Sequence, residues 1–386
     1  MLRMLPAPGV FAAGVVLFLG TSWDAFESII LPRRVTRRFR FTRLYFRTSW
    51  ASCRMVARLF PTEKSRQAVL GVYGPISLLV LVGFWAVGLV FSFGLMQFGA
   101  GSAVSLTQGS SSFLTDVYLS GTTFFTLGLG DVVPRSSFAR FLVVAEGGFG
   151  FGFLAAVIGY LPFIYSSFGQ REINISLLDS RAGTPPTAGE LLRRHSSPIG
   201  QEALRDLLKD WERWSAELLE SHLSYPVLAY FRSQHDNQSW LGALTAILDS
   251  CSVVISMCEG PCHKQAELTF AIARHAVVDL SQVFLARPRA LPVDRLPPPE
   301  FDRLRAKLVK SGLLLNDSPE TRKYLNELRQ MYEPYVFALS DYLGHPLPPW
   351  LPATKRRDNW QTTAWARSAG LVSGEAEAAF HDDEHF

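Results

Sequence analysis

The sequence predicts an all-α membrane protein. We expect three transmembrane helices, a re-entrant helix and loop between the second and third, and an α-helical cytoplasmic domain after them. The first observation behind this is the distribution of charge. Residues 67–170 include only five charged side chains, whereas the chain from Arg171 onward has the composition of an ordinary soluble protein. The second is that three stretches before residue 170 reach the roughly 20 mainly apolar residues that a membrane-spanning helix needs.

The three predicted spans cover residues 9–31, 69–98 and 141–163. The first stretch could instead be a cleaved signal peptide. Only Arg3 precedes its apolar core, however, and no clear small-x-small cleavage site follows it. In the second stretch, Gly74-Pro75 is expected to mark the start of the helix.

A basic block between the first two spans sets the predicted orientation. Residues 33–66 contain eleven Lys/Arg and one acid, Glu63. Because cytoplasmic loops beside membrane helices carry the Lys/Arg excess, the block is expected inside, the N-terminus outside and the C-terminus in the cytoplasm of a multi-pass cell-membrane protein. Asp24 and Glu27, near the end of the first span, either pair with Arg33, Arg34 or the block, or mark only the helix exit.

Large aromatic residues alternate with the arginines of this block, as in Phe39, Phe41, Tyr45 and Trp50. Such a segment is typical of a helix at the headgroup surface, where anionic lipid is the expected partner, or of a helix packed between membrane spans. Nucleic-acid binding uses similar residues. It is disfavoured because the flanking spans hold the segment at the bilayer.

The stretch between the second and third spans contains the candidate functional residues. Residues 113–125 are apolar, but a helix of that length rises only about 18 Å and cannot cross the bilayer. Thr-Leu-Gly-Leu-Gly-Asp follows at residues 126–131. Non-helical backbone at membrane depth is tolerated only where it is buried in protein or lines a water-filled path. Glycines at 128 and 130 permit successive carbonyls to point one way, and rings of such oxygens can replace the hydration shell of a monovalent cation.

Residues 122–131, TTFFTLGLGD, resemble the potassium-channel signature T-x-G-Y-G-D, and residues 69–168 resemble the family's two-span pore domain. The resemblance implies a homotetrameric potassium channel that passes ions passively, is not an enzyme and needs no cofactor besides the permeant K⁺. It also implies a first span that is additional to the family core. By the same resemblance the filter has K⁺ sites at Thr126, Leu127, Gly128 and Leu129, and its outer mouth at Gly130. Asp131 and Thr122 support the filter: Thr122 stands where some family members use a carboxylate to brace the aspartate, and a contact of Thr122 with Asp131 could serve there more weakly.

Leu129 departs from the family pattern, which has tyrosine at this position. Leucine keeps the backbone carbonyl but loses the hydroxyl hydrogen bond and the ring packing. Two alternative functions stay open, and the departure at Leu129 motivates the first of them. One is a weakly selective monovalent cation channel, and the other is a membrane-anchored sensor or scaffold with a non-conducting pore.

The third span contains one acidic residue, Glu146, and four glycines between residues 147 and 152. An ionised side chain in a span normally faces protein or water. Glu146 either braces the re-entrant helix, faces the cavity, or is protonated and senses pH. Gly150, nineteen residues after Asp131, matches the family's bending position; close helix packing is the alternative. The expected lining of the lower pore is formed by Phe151, Leu154 and Ile158.

The predicted domains are an N-terminal transmembrane helix at 1–32, a basic linker at 33–68, the pore domain at 69–168, a helical cytoplasmic domain at 169–345, and a Pro-rich then acidic, disordered tail at 346–386. In the cytoplasmic domain an amphipathic stripe at Leu204, Leu208, Trp211, Ser215 and Leu218 predicts a helix.

Further helices of this domain are expected at 241–257, 266–284, 301–314 and 320–342. No glycine-rich nucleotide-binding turn is present in the sequence, and the ligand of the domain is left unassigned. Cys258, Cys262 and His263 could contribute to a metal site, but no second ligand pair follows at a matching spacing, and buried or free thiols are favoured.

Overall fold

The computed structural model describes residues 7–31, 41–102, 104–106, 112–233, 238–290 and 292–352. The chain divides into two compact units between Ser166 and Ser167. Four helices of the described residues are long and apolar enough to span a membrane. The predicted fold class, an all-α membrane protein, is confirmed.

In the first unit, helices α1 (Pro8–Ile29) and α3 (Glu63–Gly99) pack as an antiparallel pair. Glycines permit the close approach. A Cβ on Gly14 would lie 2.7 Å from the backbone oxygen of Ser92, and one on Gly99 would lie 2.4 Å from the backbone nitrogen of Phe11. Small residues at membrane helix interfaces let backbones approach in this way, so the first span is an integral part of the unit.

Helix α3 is longer than predicted. It begins at Glu63, after the N-cap Thr62, and runs through Pro75 rather than starting there. Proline inside a helix removes one backbone donor. Next to this proline, the hydroxyl of Ser77 donates to the backbone oxygen of Gly74 at 2.9 Å. At 1.5 Å per residue the helix is about 55 Å long, longer than the hydrocarbon core of about 30 Å.

Helix α2 (Phe41–Ala57) joins the pair through Asp24 near the end of α1. The Asp24 carboxylate accepts from the Thr42 backbone N–H at 3.2 Å, the Thr42 hydroxyl at 2.5 Å and the Trp85 indole N–H at 2.9 Å. Asp24 therefore binds the first turn of α2, as one of its predicted alternatives requires, while Arg33 and Arg34 lie outside the described residues. Along α2, Tyr45 donates to the oxygen of Ser77 at 2.8 Å, so the helix packs on α3.

Strand β1 (Val104–Leu106), helix α4 (Phe113–Phe124), strand β2 (Val132–Pro134) and helix α5 (Ser137–Ala182) follow in that order. The two strands pair antiparallel, with Val104 opposite Pro134 and Leu106 opposite Val132. This small sheet was not predicted. The third span is correct in position, but α5 continues beyond residue 163, through Pro162 and on to Ala182.

The second unit is built from helices around a central one. They are α6 (Ala188–Arg194), α7 (Pro198–Ser224), a 3₁₀ turn (Pro226–Tyr230), α8 (Trp240–Met257), α9 (His263–Val283), α10 (Pro298–Lys310), α11 (Pro319–Gln330) and α12 (Glu333–Leu343). All five predicted stripe residues of α7 are buried. The helix expected over 320–342 is two helices, because the chain turns at Met331 and Tyr332.

Helix α8 is the fourth helix that is apolar enough to span a membrane, but every one of its residues is buried inside the unit. It also carries a charge at its centre. Asp249, fully buried, makes two hydrogen bonds with Arg295, at 2.7 and 3.1 Å, and accepts from the Tyr332 hydroxyl at 2.5 Å. A buried carboxylate with an arginine and a tyrosine partner is typical of a protein core, and α8 forms the core of this unit.

The Pro-rich segment, which the sequence predicts to be part of a disordered tail, is packed against the rest of the second unit up to residue 352. Trp350 is fully buried, and its backbone oxygen accepts from the N–H of Gly189 at 2.9 Å. The guanidinium carbons of Arg295 and Arg329 lie 5.8 and 5.6 Å from the centre of the Trp350 ring. The acidic remainder, 353–386, lies outside the described residues.

The metal alternative is not supported. No group of three or more His, Cys, Asp or Glu side chains that could hold a metal ion occurs among the described residues. Burial raises the pKa of the Cys258 thiol to about 12, with a smaller contribution from Cys262, so this thiol is held as a neutral buried group. The His263 ring lies against the loop instead, with Nδ1 3.1 Å from the oxygen of Cys258.

Candidate functional site

Helix α4 aims its C-terminal end at the Thr-Leu-Gly-Leu-Gly-Asp loop. It begins with a capping box in which Ser112 and Thr115 satisfy each other's backbone N–H groups, and such a box fixes where a helix starts. It ends at Phe124, after 12 residues, close to the predicted 113–125. The last turn is followed directly by the non-helical residues.

The loop backbone alternates in handedness. Thr126, Gly128 and Gly130 have φ of 60°, 55° and 81°, while Leu127 and Leu129 between them are outside this left-handed region. Glycine adopts such values without strain, but a threonine does so only where surrounding contacts hold it. In alternating backbone of this kind successive N–H groups lie on one side of the chain.

The N–H groups at the start of the loop face helix α4. Leu127 and Gly128 both donate to the backbone oxygen of Thr122, at 2.7 and 3.2 Å. In a trans peptide the carbonyl points opposite to the N–H of the next residue. The carbonyls of Thr126 and Leu127 therefore both point away from α4, in the same direction. These two backbone oxygens face the side of the loop opposite α4.

Thr122 and Asp131, two of the residues predicted to support the filter, have different side-chain hydrogen-bond partners. The Thr122 hydroxyl donates to the oxygen of Leu119 in its own helix, at 3.0 Å, because a threonine side chain on a helix reaches the preceding turn more easily than the far side of the loop. Thr122 holds the loop through its backbone oxygen instead. Tyr118, one turn earlier on the helix, does reach Asp131: its hydroxyl donates to Oδ2 at 2.9 Å.

Tyr118 is not among the residues that the sequence motif predicts for the site. The sequence feature that could have identified Tyr118 is its spacing from Thr122. Residues four apart share one face of an α-helix, so Tyr118 and Thr122 both project toward the same part of the loop. Only the longer side chain, which ends in a phenolic donor, spans the distance to the carboxylate. Asp131 also fixes its own neighbour, since Oδ1 accepts from the N–H of Val132, the first residue of β2, at 3.1 Å.

Glu146 lies behind α4 and is fully buried. Its Oε1 is hydrogen-bonded to the hydroxyl of Ser120, which also lies 2.7 Å from the backbone oxygen of Val90 in α3. Its Oε2 has no hydrogen-bond partner among the described residues. Of the predicted alternatives, the position matches a brace of the re-entrant helix and not an exposed charge in a cavity.

Gly150 also lies against α4. A Cβ at this position would be 2.3 Å from the backbone oxygen of Phe124, and 3.0 Å from its carbonyl carbon and Cα. The inner helix thus touches the last residue of α4 backbone to backbone. Phe151, Leu154 and Ile158 have large exposed fractions, 69%, 54% and 63%, and share one side of α5 by their spacing.

Residues 78–162 match a family model described as "Ion channel". The matched segment includes most of α3 and all of α4, the loop and the membrane part of α5. The resemblance to the potassium-channel family that the loop motif predicted is confirmed for this segment, and with it an ion channel domain in a multi-pass membrane protein. No curated protein and no solved structure matches the chain.

Proposed function

We propose that this chain, which carries an ion channel domain over residues 78–162, assembles as a homotetramer and passes K⁺ passively through rings of backbone carbonyls. The observation that carries the proposal is the direction of the loop carbonyls. Two consecutive N–H groups, of Leu127 and Gly128, are tied to the re-entrant helix, and the carbonyls of Thr126 and Leu127 are therefore turned the other way. Oxygens presented in this manner can replace the hydration shell of a cation.

A single loop cannot close a ring of carbonyls, and the number of four copies comes from the resemblance to the potassium-channel family. One chain contributes a single loop, and residues 125–131 are all exposed in the isolated chain. Four copies around an axis would close rings at Thr126, Leu127, Gly128 and Leu129, with Gly130 at the outer mouth. The permeant ion is the only ligand that this function requires.

The remaining predicted residues take supporting roles. Thr122, Asp131 and Glu146 hold the filter from behind, as their contacts with the loop and the re-entrant helix support. Phe151, Leu154 and Ile158 line the lower pore, and their exposure in the single chain leaves that face of α5 available. Gly150 stays a candidate for the gating bend, although its contact with Phe124 favours a packing role.

Orientation and lipid contact follow from the basic block. We place its 33–66 segment in the cytoplasm, the N-terminus outside and the C-terminal unit inside the cell. Arg43 and Arg47 are exposed on α2 beside the exposed Leu44, and Arg58 and Leu59 are exposed directly after the helix. This combination favours anionic lipid as the partner of α2 and gives no support to nucleic-acid binding.

Flux of Rb⁺ through the reconstituted full chain tests conduction, with Gly128→Ala as a matched control. A side chain at the φ of Gly128 strains the filter, so the variant should assemble but conduct little. Absence of flux from the wild type, with the tetramer intact, would overturn the channel function and favour the scaffold alternative.

Bi-ionic reversal potentials test selectivity, because Leu129 favours the weakly selective alternative. We expect K⁺ to permeate better than Na⁺ in the wild type and Leu129→Tyr to raise the ratio. Equal permeation of Na⁺ and K⁺ in the wild type would remove the potassium-selective assignment while leaving a cation channel.

A further inference from the structure

Glu146 joins three helices at one point behind the filter. The Ser120 hydroxyl of α4 lies between the Glu146 carboxyl group of α5 and the backbone oxygen of Val90 in α3. Ser120 and Glu146 are both fully buried. Ser120 lies two residues before Thr122, whose oxygen holds the N–H groups of Leu127 and Gly128.

The number of protons at this point constrains the charge of Glu146. A serine hydroxyl has one proton and two lone pairs. If Glu146 is ionised, Ser120 can donate either to the carboxylate or to Val90, and one of the two close contacts is left between two acceptors. If Glu146 carries a proton, it donates to Ser120 and Ser120 donates to Val90. Only the protonated form makes both contacts hydrogen bonds.

The surroundings offer no compensation for a negative charge. The part of α3 that packs here, residues 67–99, contains no charged residue, and α4 contains only Asp116. Asp116 is itself buried and accepts from the Ser102 hydroxyl. The nearest charged residue along α5 is Arg140, six positions before Glu146, and no ion pair involves Glu146 among the described residues. An isolated buried carboxylate with one hydrogen bond would carry a large desolvation cost.

We propose that Glu146 is protonated in the resting protein and donates to Ser120, which donates to the backbone oxygen of Val90. This relay fastens the re-entrant helix to both flanking membrane helices. It makes Ser120 a positioning residue for the filter, acting through the main chain of α4 and the oxygen of Thr122. The role of Ser120 rests on the proposed function, because it requires the loop to be an ion filter. The protonation of Glu146 does not depend on ion conduction.

Infrared spectroscopy of the full chain in lipid tests the protonation directly. A protonated carboxyl group has a carbonyl stretch separated from that of a carboxylate. We expect this band in the wild type at pH 7 and its loss in Glu146→Gln. Asp116→Asn is the matched control, because it removes the other buried carboxyl group of the pore and should leave the Glu146 band in place.

Ser120→Ala provides a second measurement that does not require Glu146→Gln to assemble. Removal of the hydroxyl should shift the Glu146 band to higher frequency, because the carboxyl group loses its hydrogen-bond acceptor. A wild type with no protonated carboxyl band, or a band that neither Glu146→Gln nor Ser120→Ala alters, would overturn the proposal.

Ion flux separates the relay from a purely space-filling role. Glu146→Gln keeps an N–H donor toward Ser120 and should therefore lower the flux less than a variant without a donor. Glu146→Leu has a similar size but no donor, and loss of one hydrogen bond should lower the flux or the yield of tetramer by about fivefold. Equal behaviour of the Gln and Leu variants would contradict the relay. Absence of flux in all variants and the wild type would count against the channel function alone, since the infrared result stands by itself.

Discussion

Substitution of Gly150 by alanine distinguishes a packing role from a hinge role by the sign of its effect on stability. The added Cβ would lie 2.3 Å from the backbone oxygen of Phe124, well inside the shortest distances that real Cβ atoms show. The clash is with main chain at the end of α4, which cannot rotate away. Overpacking of this kind costs about 1–3 kcal/mol, while alanine in place of a helix-interior glycine gains about 1 kcal/mol.

The expected net effect is therefore a loss of up to about 2 kcal/mol per subunit. A glycine kept only for bending would instead give a gain of about 1 kcal/mol together with a reduced open probability. The midpoint temperature of thermal unfolding in detergent measures the sign of this change in stability. Gly148→Ala is the matched control on the same helix, because a Cβ there meets no atom within 4 Å, and it should be neutral or stabilising. A Gly150→Ala protein that is as stable as Gly148→Ala would refute the packing argument.

Three further outcomes are expected. Tyr118→Phe should accelerate the loss of K⁺ current during sustained opening, because Asp131 loses the phenolic donor that holds the outer end of the loop; unchanged current decay would contradict this role. Asp24→Ala should loosen α2, which limited proteolysis of the linker would detect as faster cleavage, whereas Asp24→Asn should show a smaller increase. The pKa of His345 is lowered well below 6.5, first by burial and then by the charge of Arg232. The Arg232 guanidinium donates to His345 Nδ1 at 2.7 Å. The contribution of His345 to stability is thus complete above about pH 6.5 and falls as the pH drops below that value, because the unfolded chain takes up the proton first. Thermal unfolding between pH 7 and 5 should show this slope, and His345→Asn should reduce it.

The parts of the fold that local patterns encode were predictable. Three apolar stretches and a short fourth one gave the membrane helices and α4, because hydropathy and length alone decide whether a segment can cross a bilayer. The start of α3 was not predictable, because a proline usually ends a helical pattern whereas Pro75 lies inside this helix. The continuation of α5 to Ala182 was also missed, because its polar second half carries no apolar signal of a span.

The candidate site was predictable as a motif and not as a set of contacts. The loop and its glycines could be read from spacing, but the partners of Asp131 and Glu146 depend on side chains that meet only after three helices pack. Tyr118 and Ser120 are ordinary helix residues in the sequence. Their roles arise from which turn of α4 faces the loop and which faces α5.

Trp350 determines where the chain can be cut or extended. Its ring lies against the guanidinium groups of Arg295 and Arg329, and its oxygen holds Gly189. A stop codon introduced at residue 346 would delete the segment that contains Trp350 and expose the Asp249–Arg295 ion pair to water. We expect such a truncated protein to be cleared by cellular proteases, whereas a fluorescent protein joined well after residue 352 should leave the domain folded and report faithfully on its abundance.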